Sequence, residues 1–172
     1  GEVSWDPQRT PLDPAVLDLP TDRARPAMQS FEGSICSMQI PPALYERLQA
    51  FARDQQVTLS ILVFAAFQAL LSRYSGQDRV VAAMGVAGRA RLELEPVVGF
   101  FINMLPLQAD VSDDPEFITF LLRMRGIVLE AMENADTPLD RILETLRLPR
   151  STSYTPFAQV MYFFQSYPEH AL

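Results

Sequence analysis

The sequence is that of an α/β domain or lobe with elements in the order β-α-α-β-β-α-α-β. Three observations carry this expectation. Apolar residues recur at helical spacing in Leu44, Leu48 and Phe51, and again from Phe117 through Phe120, Leu121, Met124, Ile127 and Val128 to Ala131. Between these lie short apolar runs rich in β-branched and aromatic residues, at 79–87, 97–107 and 157–165. Finally, 172 residues with 48% apolar content are enough to close one core.

Taken in order, the chain opens with seven of its fourteen prolines inside the first 42 residues. Proline fixes φ and removes a donor, so residues 1–32 are expected to run extended as a strap or linker, with Trp5, Leu17 and Leu19 as its contacts. Residues 33–40, GSICSMQI, mix apolar Ile35, Met38 and Ile40 with small polar residues and read as a strand. Pro41-Pro42 ends it and suits the first turn of an amphipathic helix over 42–55, with Arg47, Arg53 and Asp54 facing water.

Residues 58–75 are apolar nearly all round, with Ala65, Ala66 and Ala69 available for close packing. This is the pattern of a central buried helix, stopped by Gly76. A doubly buried strand over 79–87, interrupted at Gly85, follows, and then a charged loop, 88–95. The run 97–107 reads as strand because of its β-branched and aromatic content and Pro106. Asp113-Asp114-Pro115 is a helix start, with Pro115 at the first helical position, and the helix runs to about Asn134. Thr137-Pro138-Leu139-Asp140 repeats that logic with a Thr cap for a short helix ending near Leu146, and 157–165 is an aromatic strand.

Composition removes most active sites. All 14 basic residues are Arg, so a Walker A loop, a Schiff-base lysine and a pyridoxal site are excluded. One His, His170, and one Cys, Cys36, make a zinc site or a nucleophile–base pair improbable, and no metal site is expected. A net charge of −7 argues against nucleic acid as a partner. A single Cys excludes a disulfide scaffold, and no apolar run reaches membrane-spanning length, so the expectation is a cytoplasmic protein with no membrane partner.

A few residues stand out as candidates for function. Asn103 sits inside Phe100-Phe101-Ile102-Asn103-Met104-Leu105, where an unpartnered amide would cost roughly 1–3 kcal/mol. It is therefore either bonded to backbone or pointed into a polar cavity, and both readings stand. Gly99 permits close approach of another backbone or a ligand, or marks a bulge. Asp136 has the chemistry of a general acid or base, though turn and cap use is commoner beside Thr137-Pro138. Arg150 lies in a hydroxyl-rich loop, Ser151 to Thr155, able to take a phosphate or a carboxylate, although such arginines are usually solvated.

Several ordered segments together resemble the condensation domains of non-ribosomal peptide synthetases. Leu17-Asp18-Leu19-Pro20-Thr21-Asp22-Arg23 is similar to the family's LDLPTDR entry into its second lobe, and Phe67 to Asp78 to its FQALLxRYSGQxD helix and turn. Gly85 to Arg89 resembles PxAGR, and Val98 to Leu105 resembles VGxFVNTL, departing at Met104 where Thr is usual. Glu133 to Asp140 is a weaker likeness of HQDVPFE, and Arg150 to Phe157 of RDxSxxPL, with Gln159 to Tyr162 similar to the strand that follows.

The resemblance implies a chloramphenicol-acetyltransferase-like lobe, a mixed sheet packed by helices, with residues 1–32 as an inter-lobe strap and 33–172 as part of the C-terminal lobe. It implies amide formation in secondary-metabolite or antibiotic biosynthesis, between a donor acyl or peptidyl thioester and an acceptor aminoacyl group. Both arrive on the phosphopantetheine arms of peptidyl carrier proteins, and the chain itself binds no cofactor. Asn103, Gly99 and Met104 would line or position the substrate tunnel, while Arg150, Asp136 and Pro138 would hold loops and the lobe boundary. The His-His-x-x-x-Asp-Gly motif tied to the chemistry belongs to the N-terminal lobe and is absent here, so no catalytic residue is expected and the chain alone should be inactive. Two other readings stand beside this one: a carrier-protein-docking or scaffold module without catalysis, and a lobe of an epimerisation or heterocyclisation domain. A lobe without its partner should also self-associate.

Overall fold

The computed structural model describes residues 16–87, 93, 97–99, 101–146, 151–155 and 158–165. Arg150, His170, Trp5, Phe157 and the Gly88-Arg89 pair lie outside the described residues. The elements are α1 (Pro42–Asp54), α2 (Leu59–Ser75), β1 (Arg79–Ala87), β2 (Ile102–Asp110), α3 (Phe117–Glu133), α4 (Leu139–Leu146) and β3 (Met161–Tyr162). The strands form a mixed sheet in the order β2-β1-β3, with β1 antiparallel to β2 and parallel to β3.

Local chemistry explains the helix bounds. Thr58 Oγ1 accepts from the Ile61 N–H at 3.2 Å and opens α2. At its other end Gly76, at φ 69°, adopts the left-handed turn and donates its N–H to Ser72 O at 2.8 Å. α1 begins at Pro42, which fills a first-turn position where the missing N–H costs nothing.

Strand alternation then builds two layers of core. Ala82 and Met84 of β1 pack with Leu105, Leu107 and Ala109 of β2 against Phe64 and Ala65 of α2 and Leu121, Met124 and Val128 of α3. On the opposite face Val81, Ala83 and Met104 meet Ile142, Leu139 and Leu143 of α4 and Ala158. The sheet is thus covered by α2 and α3 on one side and by α4 on the other.

Several expectations are corrected. Residues 33–40 form no strand, because no described segment pairs with them; a β pattern becomes a strand only with a hydrogen-bonding neighbour. α2 is not buried all round: Ala66, Leu70 and Tyr74 form an exposed stripe that no described element covers. β1 runs unbroken through Gly85.

β2 starts at Ile102 and continues past Pro106 to Asp110. Pro106 is tolerated because it pairs with Ala83, whose N–H points the other way to Val160 O at 3.0 Å. The pair is therefore one that exchanges no hydrogen bond, and the missing proline N–H would face away from β1. α3 begins at Phe117 behind Glu116, so Pro115 precedes the cap rather than opening the helix. At α4 it is the Pro138 carbonyl, accepting from the Arg141 and Ile142 N–H groups, that starts the helix, and β3 is only two residues long.

Residues 16–18 are bound to this frame. Leu17 is buried against Leu71 and Val80, its N–H donating to Gln159 Oε1 at 2.9 Å. Gln77 brackets the same segment, accepting from the Asp18 N–H and donating to Val16 O. Farther along, the Thr152 hydroxyl donates to Ala27 O at 2.8 Å and the Ser153 hydroxyl to Pro26 O at 2.6 Å.

Candidate functional site

Asn103 lies on β2 opposite Val86, on the sheet face that carries α2 and α3. From there its side chain reaches the turn between α3 and α4. Nδ2 donates to Ala135 O at 2.7 Å and to Thr137 O at 2.8 Å, and Oδ1 accepts from the Met104 N–H at 2.9 Å. Both amide hydrogens are committed to backbone, which answers the desolvation cost that makes this residue conspicuous.

The two carbonyls flank Asp136, so Asn103 and Asp136, 33 positions apart in sequence, belong to one constellation. Asp136 is exposed at the crown of the turn, with Pro138 exposed behind it at the start of α4. Met104, next to Asn103, points to the other face of the sheet and packs with Ile142 and Leu143.

Gly99 lies apart from this group, in an exposed bend. A Cβ there would meet the Phe101 ring edge at 3.0 Å, so the space it leaves is taken by the chain's own aromatic side chain. Gly85, opposite Met104 across the sheet, similarly leaves room for the Phe163 ring, which a Cβ would strike.

The hydroxyl loop, read as a candidate anion or carboxylate site, has its Thr152 and Ser153 hydroxyls donating to the strap carbonyls instead, and Arg25 sits 5.9 Å from the Tyr154 ring centroid. Among the described residues no group of His, Cys, Asp and Glu could hold a metal ion. Among the same residues no single helix is long and apolar enough to cross a membrane.

Other polar residues escape notice in the sequence. Gln68, fully buried on α2, donates through Nε2 to Leu107 O at 3.1 Å, while its Oε1 has no partner among the described residues. The signal that exposes Asn103, an amide within an apolar run, is equally present in Phe64-Ala65-Ala66-Phe67-Gln68-Ala69-Leu70. The Tyr162 ring packs tilted against Phe64, centroids 5.0 Å apart, and donates its hydroxyl to Ser60 O at 3.0 Å. Burial raises its phenol above the usual value of 10.0, the Ser60 bond acting the other way.

The family model described as Condensation domain matches residues 5–171. The chain belongs to the condensation domain family. A linear gramicidin synthase of Brevibacillus parabrevis is 43% identical over 156 residues, which is 91% of this chain and 3% of that protein. Among solved structures, the teicoplanin-biosynthesis X-domain in its complex with OxyB superposes with TM-score 0.81 at 31% identity, over 90% of this chain and 34% of that one. A holo four-domain nonribosomal peptide synthetase bound to AMP and glycine gives TM-score 0.85 at 27% identity, over 87% and 11%. The chain therefore spans about a third or less of the length of these relatives. The condensation-domain fold, an α/β lobe with a mixed sheet packed by helices, is the one expected from the motifs.

Proposed function

We propose that this chain serves as part of the C-terminal lobe of an amide-forming condensation domain, with residues 1–32 as the strap between lobes and residues 33–172 as the lobe. The observation that carries the reading is the family match across residues 5–171 in a chain whose only imidazole is His170. Amide formation from a thioester requires the acceptor nitrogen to attack the carbonyl, the C–S bond to break, and a proton to pass from that nitrogen to the departing thiolate. On this reading the His-His-x-x-x-Asp-Gly segment that the family ties to the chemistry is supplied by the N-terminal lobe.

On this reading the lobe supplies one wall of the tunnel. The substrates are thioesters on the phosphopantetheine arms of a donor and an acceptor carrier protein, met in the cytoplasm. Asn103 is a positioning residue: its donors are spent on Ala135 and Thr137, so it holds the turn that presents Asp136 and Pro138 rather than touching the reacting atoms. Gly99 and Met104 shape the wall through Phe101 and α4, and Arg150 is assigned to the lobe boundary.

One observation favours a second reading, a docking module without catalysis: the X-domain relative was solved in a complex with OxyB. The experiment that separates them grafts residues 17–165 in place of the equivalent segment of an active condensation domain of known substrates. Amide product from the graft supports the first reading. A folded graft that binds loaded carrier protein but forms no product supports the second.

A further inference from the structure

Residues 17–29 are anchored to the fold at two places. At the first, Leu17 is buried against Leu71 and Val80, its N–H donates to Gln159 Oε1 at 2.9 Å, and the Asp18 N–H donates to Gln77 Oε1 at 2.9 Å. At the second, the Thr152 and Ser153 hydroxyls donate to Ala27 O and Pro26 O, and the Gln29 N–H donates to Thr152 O at 2.9 Å. Between the anchors, residues 20–24 are exposed, and the Thr21 hydroxyl bonds only within the stretch, to Arg23 O.

The two anchors share a residue. Gln159 accepts from the Leu17 N–H through Oε1 and donates through Nε2 to the Thr155 carbonyl at 2.8 Å. The acceptor offered to Leu17 is therefore held by the same run, residues 151–155, that holds residues 26–29. We propose that residues 17–29 and residues 151–155 dock and release as one unit, with Gln159 as the relay between its two ends.

The bonds favour one unit over two. Among the described residues, 151–155 have no hydrogen-bond partner beyond residues 26–29, Gln159 and themselves, the Ser153 N–H donating to Ser151 Oγ. Each anchor also keeps the partners of the other close, because the short stretch between them is already closed into a loop. The unit stops at β3. There Val160 O accepts from the Ala83 N–H at 3.0 Å and the Tyr162 hydroxyl donates to Ser60 O, bonds that involve neither end of the clamp. Whatever displaces Thr152 and Ser153 thus loosens Leu17, and whatever pulls on residues 17–29 frees 151–155.

Amide hydrogen exchange on the 172-residue chain tests this. The double variant Thr152→Val with Ser153→Ala removes both hydroxyl donors at the second anchor and touches no bond of the first. Exchange at Gln29 and at Asp18 is expected to accelerate by the same factor, roughly tenfold. Exchange within α2 and at Ala83 should stay as in the wild type, which also shows that the variant folds. Acceleration at Gln29 alone, or at neither amide, would overturn the proposal by making the anchors independent. Equal acceleration within α2 would overturn it too, since residues 17–29 would then open only with the whole fold.

The relay is read separately. Gln159→Leu leaves the Asp18–Gln77 and Gln29–Thr152 bonds in place. In that background the Thr152→Val, Ser153→Ala pair should still free Gln29 but add nothing at Asp18. Joint acceleration that persists without the Gln159 amide would overturn its role as relay and assign the coupling to the chain between the anchors.

Discussion

Asn103 and Thr137, 34 residues apart, are joined by a 2.8 Å hydrogen bond from the Asn103 Nδ2 to the Thr137 carbonyl, and the second hydrogen of the same amide holds Ala135. β2 thereby fixes the turn between α3 and α4. Asn103→Ala leaves two carbonyls and the Met104 N–H without their partner, and the expected cost is about 1–3 kcal/mol. Asn103→Asp should cost as much near neutral pH, where the carboxylate faces two carbonyls, and recover in acid once its oxygen carries a proton to donate. Urea denaturation of both variants across pH checks this, and a neutral Asn103→Ala would contradict the lock.

How much of this is legible in the sequence depends on the range of the interaction. The Gly76 stop and the bounds of β1 are set within a few residues, and there sequence and structure agree. The conspicuous amide at position 103 points to a buried constraint, but its partners lie across the fold, and nothing local separates a backbone lock from a cavity. Residues 33–40 do not form a strand for the same reason, since the pattern is present but no described segment pairs with it. The hydroxyls of Thr152 and Ser153 look available in the sequence because the strap carbonyls they bind are more than a hundred residues away.

The strap is held by residues of known geometry, so its release can be measured. Leu17→Ala removes a side chain only 4% exposed and is expected to cost about 2–5 kcal/mol. Gln159→Leu deprives the Leu17 N–H of its acceptor, and exchange at Leu17 should accelerate while exchange within α2 does not. Equal acceleration in both would show that the strap unfolds only with the whole lobe.

Gly85 and Phe163 form a size-coupled pair. A methyl at position 85 collides with the Phe163 ring, but that ring is half exposed and can swing outward, so Gly85→Ala should cost only about 1 kcal/mol. In a Phe163→Ala background the collision is gone, and the cost of Gly85→Ala should fall. A double-mutant cycle with no coupling energy would contradict the contact.

The pH dependence of stability has a cause at each end. Asp110 is held below its usual value of 3.8 first by the Ser112 hydroxyl and N–H and then by Arg79, with partial burial opposing them. A carboxyl depressed on folding stabilises the fold above its unfolded value and loses that contribution as pH falls through the folded value. Ser112→Ala should therefore shift the acid transition to higher pH. Tyr162 acts at the other end: its phenol is raised on folding, so its contribution is complete below pH 10.0 and is lost as pH rises further. Tyr162→Phe should flatten the alkaline decline, and an unchanged alkaline limb would remove Tyr162 as its cause.

The proposal most in need of a test is that this chain is part of the C-terminal lobe of a condensation domain and depends on the other lobe for the residues that move protons. The direct measurement is amide formation between a donor-loaded and an acceptor-loaded carrier protein, followed by mass spectrometry of the carrier-bound product. With this chain alone no product should form, and product should appear when a polypeptide bearing the His-His-x-x-x-Asp-Gly segment is added. Turnover by the chain alone, with His170 as its only imidazole, would contradict the account.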